Sequence, residues 1–155
     1  TPRICSIVEE LRNAGIEIDY SNDLKLVRWK KLAWNIPFNG LSVVLNADTS
    51  NIMQQKDSRD LAEQLMWEVL RCARACRVDI PDSHVWDNLE YTKNMVPYAS
   101  GMLLDYQNRR PLELDAIFAA PIQTAKKAGY EPARVEMLHQ QLRFLDWKNR
   151  FTESL

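Results

Sequence analysis

The chain has 155 residues, with 20 basic and 21 acidic side chains and a formal net charge of −1. This length suits one domain with a substantial core. The balanced charge gives no indication of nucleic acid or an anionic membrane as the main partner. No apolar run approaches the roughly 20 residues that span a bilayer, and no signal peptide opens the sequence. We therefore expect a cytoplasmic protein that binds neither nucleic acid nor membrane.

The cysteines, histidines and glycines limit the kinds of site that the chain can hold. Cys5, Cys72 and Cys76 are odd in number and lack paired spacing, which favours reduced thiols. Neither His84 nor His139 follows them at a recognisable metal-ligand spacing, so we expect no metal site. The four glycines do not form a phosphate-binding Gly-rich loop.

The first segment has the pattern of a helix followed by a strand. Pro2 suits a helix start and Gly15 a helix end, while residues 16–20 alternate between apolar and acidic side chains. A lone strand is not stable without neighbours. Because the chain also begins at Thr1 without methionine, we expect residues 1–20 to be the tail of an upstream domain.

Helical periodicity continues through residues 21–155, and we expect a mainly α domain there. Ser21-Asn22-Asp23 is a cap signal before a long helix over Leu24–Leu45. Further helices are predicted after Asp48, from Asp57-Ser58, over Val85–Met95, from about Leu112 to Ala128, and from about Pro132 past Trp147, and residues Met102–Tyr106 form a short apolar segment.

The long helix carries the main candidate site. Lys31, Asn35 and Asn39 recur every four residues and therefore lie along one stripe of the helix surface. Lys30, one residue earlier, lies on a different stripe. Polar helix positions usually face water, and this alternative stays open on pattern alone. However, residues 32–45 contain no charge, which predicts a buried helix whose amides need polar partners. A small polar ligand would be one such partner.

Two blocks of sequence carry a resemblance to a known family. The first is Arg28-Trp29-Lys30-Lys31-Leu32-Ala33-Trp34-Asn35, continuing through Asn39 to Leu41, and it resembles the W-x-K-L-x-x-N-x-x-x-N signature of ketopantoate reductases. The second is Met102-Leu103-Leu104-Asp105, then Arg109-Arg110-Pro111-Leu112-Glu113-Leu114-Asp115, and it is similar to their S-M-x-x-D…G-R-x-x-E-I-D segment. The resemblance covers essentially the whole chain as the C-terminal half of such an enzyme.

The resemblance implies roles for individual residues. Lys31 matches the family's catalytic lysine, and Asn35 and Asn39 match its substrate-binding asparagines. Glu113 matches a glutamate that lies beside the lysine and the cofactor, so it is a candidate for both catalysis and cofactor binding. Ser100 is the candidate for the substrate-binding serine, although the family places this serine directly before Met, where Gly101 stands here.

The resemblance also implies an architecture and an activity. We expect a helical domain of the 6-phosphogluconate-dehydrogenase C-terminal-like type, preceded by a helix–strand remnant of a Rossmann domain that binds NADPH. The whole enzyme would reduce a 2-keto acid, 2-dehydropantoate in pantothenate biosynthesis, and this fragment alone would be inactive. The helical domain is a candidate surface for homodimerisation. Two alternatives stay open: the same fold acting on another 2-keto or 3-hydroxy acid, and a non-catalytic helical dimerisation module.

Overall fold

The computed structural model describes residues 2–18 and 21–152, and these residues form a mainly helical domain. Eight α-helices and one π-helical segment follow one another along the described chain. Their bounds are α1 Pro2–Asn13, α2 Leu24–Val44, α3 Thr49–Gln54, α4 Lys56–Ala75, α5 Ser83–Asn94, α6 Gly101–Gln107, the π segment Asp115–Ala119, α7 Ala120–Lys127 and α8 Ala133–Phe151. None of the described helices is both long enough and apolar enough to cross a membrane.

The central element is α2, which packs against α4, α6 and α8. It begins after Asp23, whose side chain accepts a hydrogen bond of 3.0 Å from the Leu26 backbone N–H, as expected of an N-cap. Most of the uncharged stretch predicted to be buried is buried or half-buried, including Ala33, Ile36 and Phe38, and only its last residue, Leu45, is exposed. This burial confirms the sequence prediction and places Asn35 and Asn39 half-buried beside the core, whereas Lys31 at the start of the stripe is exposed.

Close contact between α2 and α8 depends on Gly40. A Cβ at this position would lie 2.5 Å from Leu138 Cδ2 and 3.1 Å from Phe118 Cζ. The start of α8 is fixed by a second contact, since the buried Glu68 carboxylate of α4 accepts a hydrogen bond of 2.6 Å from the Val135 backbone N–H. These contacts set the position of α8, which in turn holds one wall of the cavity described below.

Two sequence predictions need correction. Residues 16–18 have no regular secondary structure, so the predicted strand is not formed there, and Asp19 and Tyr20 lie outside the described residues. The helix predicted from about Leu112 begins later, since residues 111–113 have no regular secondary structure; the Leu112 backbone N–H donates to the Asp146 side chain at 3.1 Å. Its first part, Asp115–Ala119, is π-helical before α7 continues as an α-helix.

Candidate functional site

A cavity of about 270 Å³ lies beside α2, between the start of α6 and the segment that leads into α7. Volumes of this order suit a small organic ligand. The lining residues come from three separate parts of the chain and are Trp34, Asn35, Asn39, Tyr98, Gly101, Met102, Asp105, Glu113 and Ile117. The fold therefore brings together the two sequence blocks that carry the family resemblance.

The α2 wall presents Asn35 and Asn39 to the cavity, one helical turn apart. Both side chains are half-buried, and neither amide forms a hydrogen bond with another of the described residues. Each carboxamide offers two N–H donors and a carbonyl acceptor without a net charge. The pair can therefore bind the carboxylate or hydroxyl oxygens of a ligand without first losing an existing contact.

A hydrogen bond between two buried serines joins the start of α6 to α2. Ser100 is completely buried, and its hydroxyl lies 2.6 Å from the Ser42 hydroxyl of α2. Ser100 also accepts a hydrogen bond of 3.1 Å from the Leu103 backbone N–H and so caps α6. Its side chain does not line the cavity, whereas the next residue, Gly101, does. The predicted contact of Ser100 with a ligand stays a prediction.

The third wall is an extended segment that presents Glu113. Leu112 and Leu114 are buried on either side of it, so the alternation of an extended chain turns Glu113 outward. Asp146 of α8 holds the segment through the Leu112 backbone. Asp105 of α6 holds it through an ion pair of 2.8 Å with Arg110. These two contacts hold the backbone just before Glu113, and the buried Leu114 follows it, so the backbone of Glu113 is positioned at the cavity.

Lys31 lies one turn before Asn35 on the same stripe of α2 and is exposed. It does not line the cavity, and no ion pair joins it to Glu113 within the part of the chain that is described. The structure thus brings Asn35, Asn39 and Glu113 together and places the lysine next along the stripe. An exposed ammonium at this point is free to turn toward a ligand held by the two amides.

Sequence reasoning missed several residues of the cavity wall. Trp34, Tyr98 and Ile117 supply apolar surface, and Asp105 both lines the cavity and pairs with Arg110. One signal was present for Asp105, since it lies four residues after Gly101 and therefore on the same face of α6. No sequence pattern indicated that Ile117 lines the cavity, because Ile117 lies in the π-helical segment, which periodicity does not predict.

The electrostatics of the cavity do not favour a metal ion. Two carboxylates line it, Asp105 and Glu113, and the first is already paired with Arg110. Among the described residues there is no group of three His, Cys, Asp or Glu side chains that could hold a metal. The marked pKa shifts lie elsewhere: burial raises the pKa of the Cys72 thiol in α4 to about 12, with a smaller contribution from Glu68.

Comparison with known proteins identifies relatives of this chain. Residues 23–146 match the family model described as ketopantoate reductase PanE/ApbA C terminal. A 2-dehydropantoate 2-reductase from Nostoc sp. is 46% identical over 150 residues, which cover 97% of this chain and 47% of the relative. The chain thus spans about half the length of this curated relative.

Two solved structures share the fold. A 2-dehydropantoate 2-reductase from Geobacter metallireducens has 39% identity and a TM-score of 0.87, covering 93% of this chain and 48% of that one. A dimeric ketopantoate reductase from Staphylococcus aureus has 18% identity and a TM-score of 0.83, covering 96% of this chain and 52% of that one. The second comparison supports the fold alone.

Proposed function

This chain belongs to the ketopantoate reductase PanE/ApbA C-terminal family, and we propose that it is the substrate-binding domain of an NADPH-dependent 2-keto acid reductase. The substrate proposed first is 2-dehydropantoate, which would be reduced to pantoate. The observation that carries the proposal is the cavity where Asn35, Asn39 and Glu113 meet, each without a hydrogen-bond partner among the described residues. Uncompensated polar groups at a half-buried site indicate that a polar ligand completes it.

The proposed chemistry follows from these side chains. When bound, NADPH supplies the hydride, which adds to the keto carbon while the carbonyl π electrons move to the oxygen. Lys31 stabilises the developing alkoxide with its ammonium group and donates the proton that completes the hydroxyl. Asn35 and Asn39 hold the carboxylate and hydroxyl groups of the substrate, so that the keto oxygen lies within reach of Lys31.

Glu113 has two proposed roles beside the lysine. Its carboxylate attracts the Lys31 ammonium and so orients the proton donor. Because Glu113 is exposed and unpaired within the described residues, it is also free to accept a hydrogen bond from the cofactor. The described segments offer no Gly-rich phosphate loop, so the phosphate contacts of the cofactor are proposed to come from an upstream domain.

We extend the proposal to the first 20 residues, as the tail of that nucleotide-binding domain. Helix α1 leaves Ile4 and Ile7 more than 40% exposed, and Ile16 is 50% exposed. Among the described side chains of α1, Val8 is the one that is buried, and it is not part of the core cluster of the helical domain. An apolar face of this kind requires a partner surface, and the upstream half found in the relatives would supply it.

Homodimerisation through the helical domain is a further part of the proposal. Helix α8 exposes Phe144, Trp147 and Phe151 by more than half of their surface, and the first two rings lie 6.0 Å apart. Sedimentation of the full-length protein tests this part directly. The alternative of a non-catalytic dimerisation module uses the same surface, but it leaves the partnerless amides of the cavity unexplained.

Activity of the full-length, two-domain protein tests the proposal. We expect NADPH oxidation that depends on 2-dehydropantoate, and Lys31→Ala should lower kcat by about two to four orders of magnitude, the usual range for a general acid. Lys30→Ala is the matched control, since the same charge is removed one residue away on a different stripe of α2. Equal losses in the two variants would assign the effect to charge rather than to proton donation and would contradict the role of Lys31.

A further inference from the structure

Helix α5 contacts α2 beside the cavity through a buried hydroxyl group, that of Thr92. Thr92 is 1% exposed, and its hydroxyl oxygen accepts a hydrogen bond of 2.9 Å from the indole N–H of Trp34. The same hydroxyl donates at 2.6 Å to the Asn88 backbone carbonyl, one helical turn earlier. Because its single proton is used within α5, the hydroxyl presents a lone pair to the indole. Thr92 is therefore placed as the acceptor for Trp34.

The ring of Trp34 is held on a second side by α2 itself. Its centroid lies 5.1 Å from that of Phe38, which is fully buried one helical turn later. Trp34 is half-buried and lines the cavity together with Asn35 and Asn39. An indole that is packed against a buried ring and hydrogen-bonded through its N–H has little freedom to change rotamer. This part of the cavity wall is therefore set before a ligand binds.

The hydrogen bond between Trp34 and Thr92 bears on ligand binding rather than on proton transfer. Without the Thr92 hydroxyl, the indole N–H would lose its partner in a half-buried place, which is unfavourable. The ring could then adopt other rotamers, so a ligand would have to immobilise it on binding and would bind less tightly. Proton donation would be little affected, because Lys31 lies on a different stripe of α2 from Trp34.

We propose that Thr92 is a positioning residue of the substrate site, which acts by fixing the indole of Trp34 as a wall of the cavity. Trp34 occupies a position that the W-x-K-L-x-x-N signature leaves open, and Thr92 lies between the two sequence blocks of the family resemblance. This inference rests on the proposed function and deepens it by adding a residue of α5, none of whose described side chains lines the cavity.

Two substitutions at Thr92 test the role of its hydroxyl in the full-length enzyme. Thr92→Val removes the hydroxyl but keeps the shape, and it should raise KM for 2-dehydropantoate roughly 3- to 10-fold, the scale of immobilising one side chain on binding. Its kcat should change by less than about twofold, because the proton donor is not touched. Thr92→Ser keeps the hydroxyl and should keep KM within about twofold of the parent value.

A double-mutant cycle separates a role through Trp34 from a merely structural one. Trp34→Phe removes the N–H donor from the other side of the hydrogen bond and should raise KM over the same range as Thr92→Val. In the double variant KM should rise no further than in Trp34→Phe, because no N–H remains to be accepted.

Thr124→Val is the matched control. The Thr124 hydroxyl also donates to the carbonyl four residues earlier, that of Ala120 at 2.8 Å, but Thr124 is exposed on α7 and does not line the cavity. Its KM should equal that of the parent.

Thermal unfolding checks that every variant is folded, and Trp34→Phe tests the same hydrogen bond if Thr92→Val does not fold. An unchanged KM in Thr92→Val or in Trp34→Phe, an equal rise in Thr92→Ser, or a further rise in the double variant would each overturn the inference alone. A parent that does not reduce 2-dehydropantoate would overturn the proposed function and the inference with it.

Discussion

The two asparagines of α2 show how far single residues could be assigned in advance. Their spacing and the uncharged stretch around them predicted one buried polar stripe, and the cavity does contain both. The role of Ser100 was harder to predict, because its hydroxyl forms hydrogen bonds within the protein, one with the Ser42 hydroxyl and one that caps α6. A serine directly before a helix start is a frequent N-cap, so this competing role was visible in the sequence.

Asn35→Ala and Asn39→Ala should each raise KM of the full-length enzyme with a smaller effect on kcat. The two amides are proposed to bind the carboxylate and hydroxyl groups of the substrate, and losing a hydrogen bond to a charged group, worth about 1.5–3 kcal/mol, corresponds to roughly a 10- to 100-fold change. Steady-state kinetics with 2-dehydropantoate measures the effect. Asn35→Asp should be worse still, because its carboxylate would repel that of the substrate.

Asn51→Ala provides the control, since Asn51 is exposed on α3 and does not line the cavity. Its KM should equal that of the parent. If Asn35→Ala and Asn39→Ala lose thermal stability but keep their KM values, the two amides are structural and the proposed substrate contacts are wrong.

At the scale of elements, most helix positions could be predicted from local sequence signals. The segments that were predicted wrongly make contacts with residues distant in sequence. Asp23 and Asp48 cap α2 and α3 as their sequence patterns indicate. The non-helical segment before the π turn contacts Asp146, 34 positions away in sequence from Leu112. The π segment also has no local signature, and π turns are often found at functional sites. Such contacts between remote residues are not encoded in periodicity.

Gly40→Ala should destabilise the protein through the crossing of α2 and α8. Helix propensity would gain up to about 1 kcal/mol from the change, but overpacking a core typically costs about 1–3 kcal/mol. With Leu138 3% exposed and Phe118 fully buried, neither neighbour has free space to move. We therefore expect a lower free energy of unfolding in urea. Gly101→Ala is the control, since its Cβ meets no atom within 4 Å, and it should be neutral or stabilising. A stabilising Gly40→Ala would contradict the prediction and show that α2 and α8 can move apart to admit the methyl group.

The contact between α8 and the π segment should make stability depend on pH. His139 stacks on Phe118 with ring centroids 5.9 Å apart. Burial lowers the pKa of His139, Arg143 lowers it further, and Asp115 and Glu136 oppose the shift. A lowered pKa means that the unfolded chain binds the proton more readily, so the free energy of unfolding should fall as pH decreases from about 7 to 5. His139→Gln should show a weaker dependence in thermal unfolding, and an unchanged slope would contradict this cause.

At the scale of the whole molecule, the helical domain contains its own core. The buried cluster extends along the sequence from Trp29 to Leu142 and draws on α2, α4 and α8. A core confined to one region of the chain supports folding of that region as a unit. The mainly helical fold, α1 included, was predictable from periodicity. The strand expected after α1 is not formed over residues 16–18, because a strand needs neighbouring strands that local sequence does not specify.

The chain alone should therefore fold but bind no NADPH. Its own contribution to the cofactor is proposed to be a single carboxylate, Glu113, whereas the phosphate groups need backbone N–H donors of the kind found in a Gly-rich loop. Calorimetric titration of the 155-residue chain should show no binding at micromolar concentrations, while the full-length protein titrated in the same buffer should bind. Cooperative thermal unfolding of the isolated chain would establish that it is folded in this experiment. Micromolar binding to the folded chain would place the nucleotide site within the helical domain and contradict the proposed division of roles between two domains.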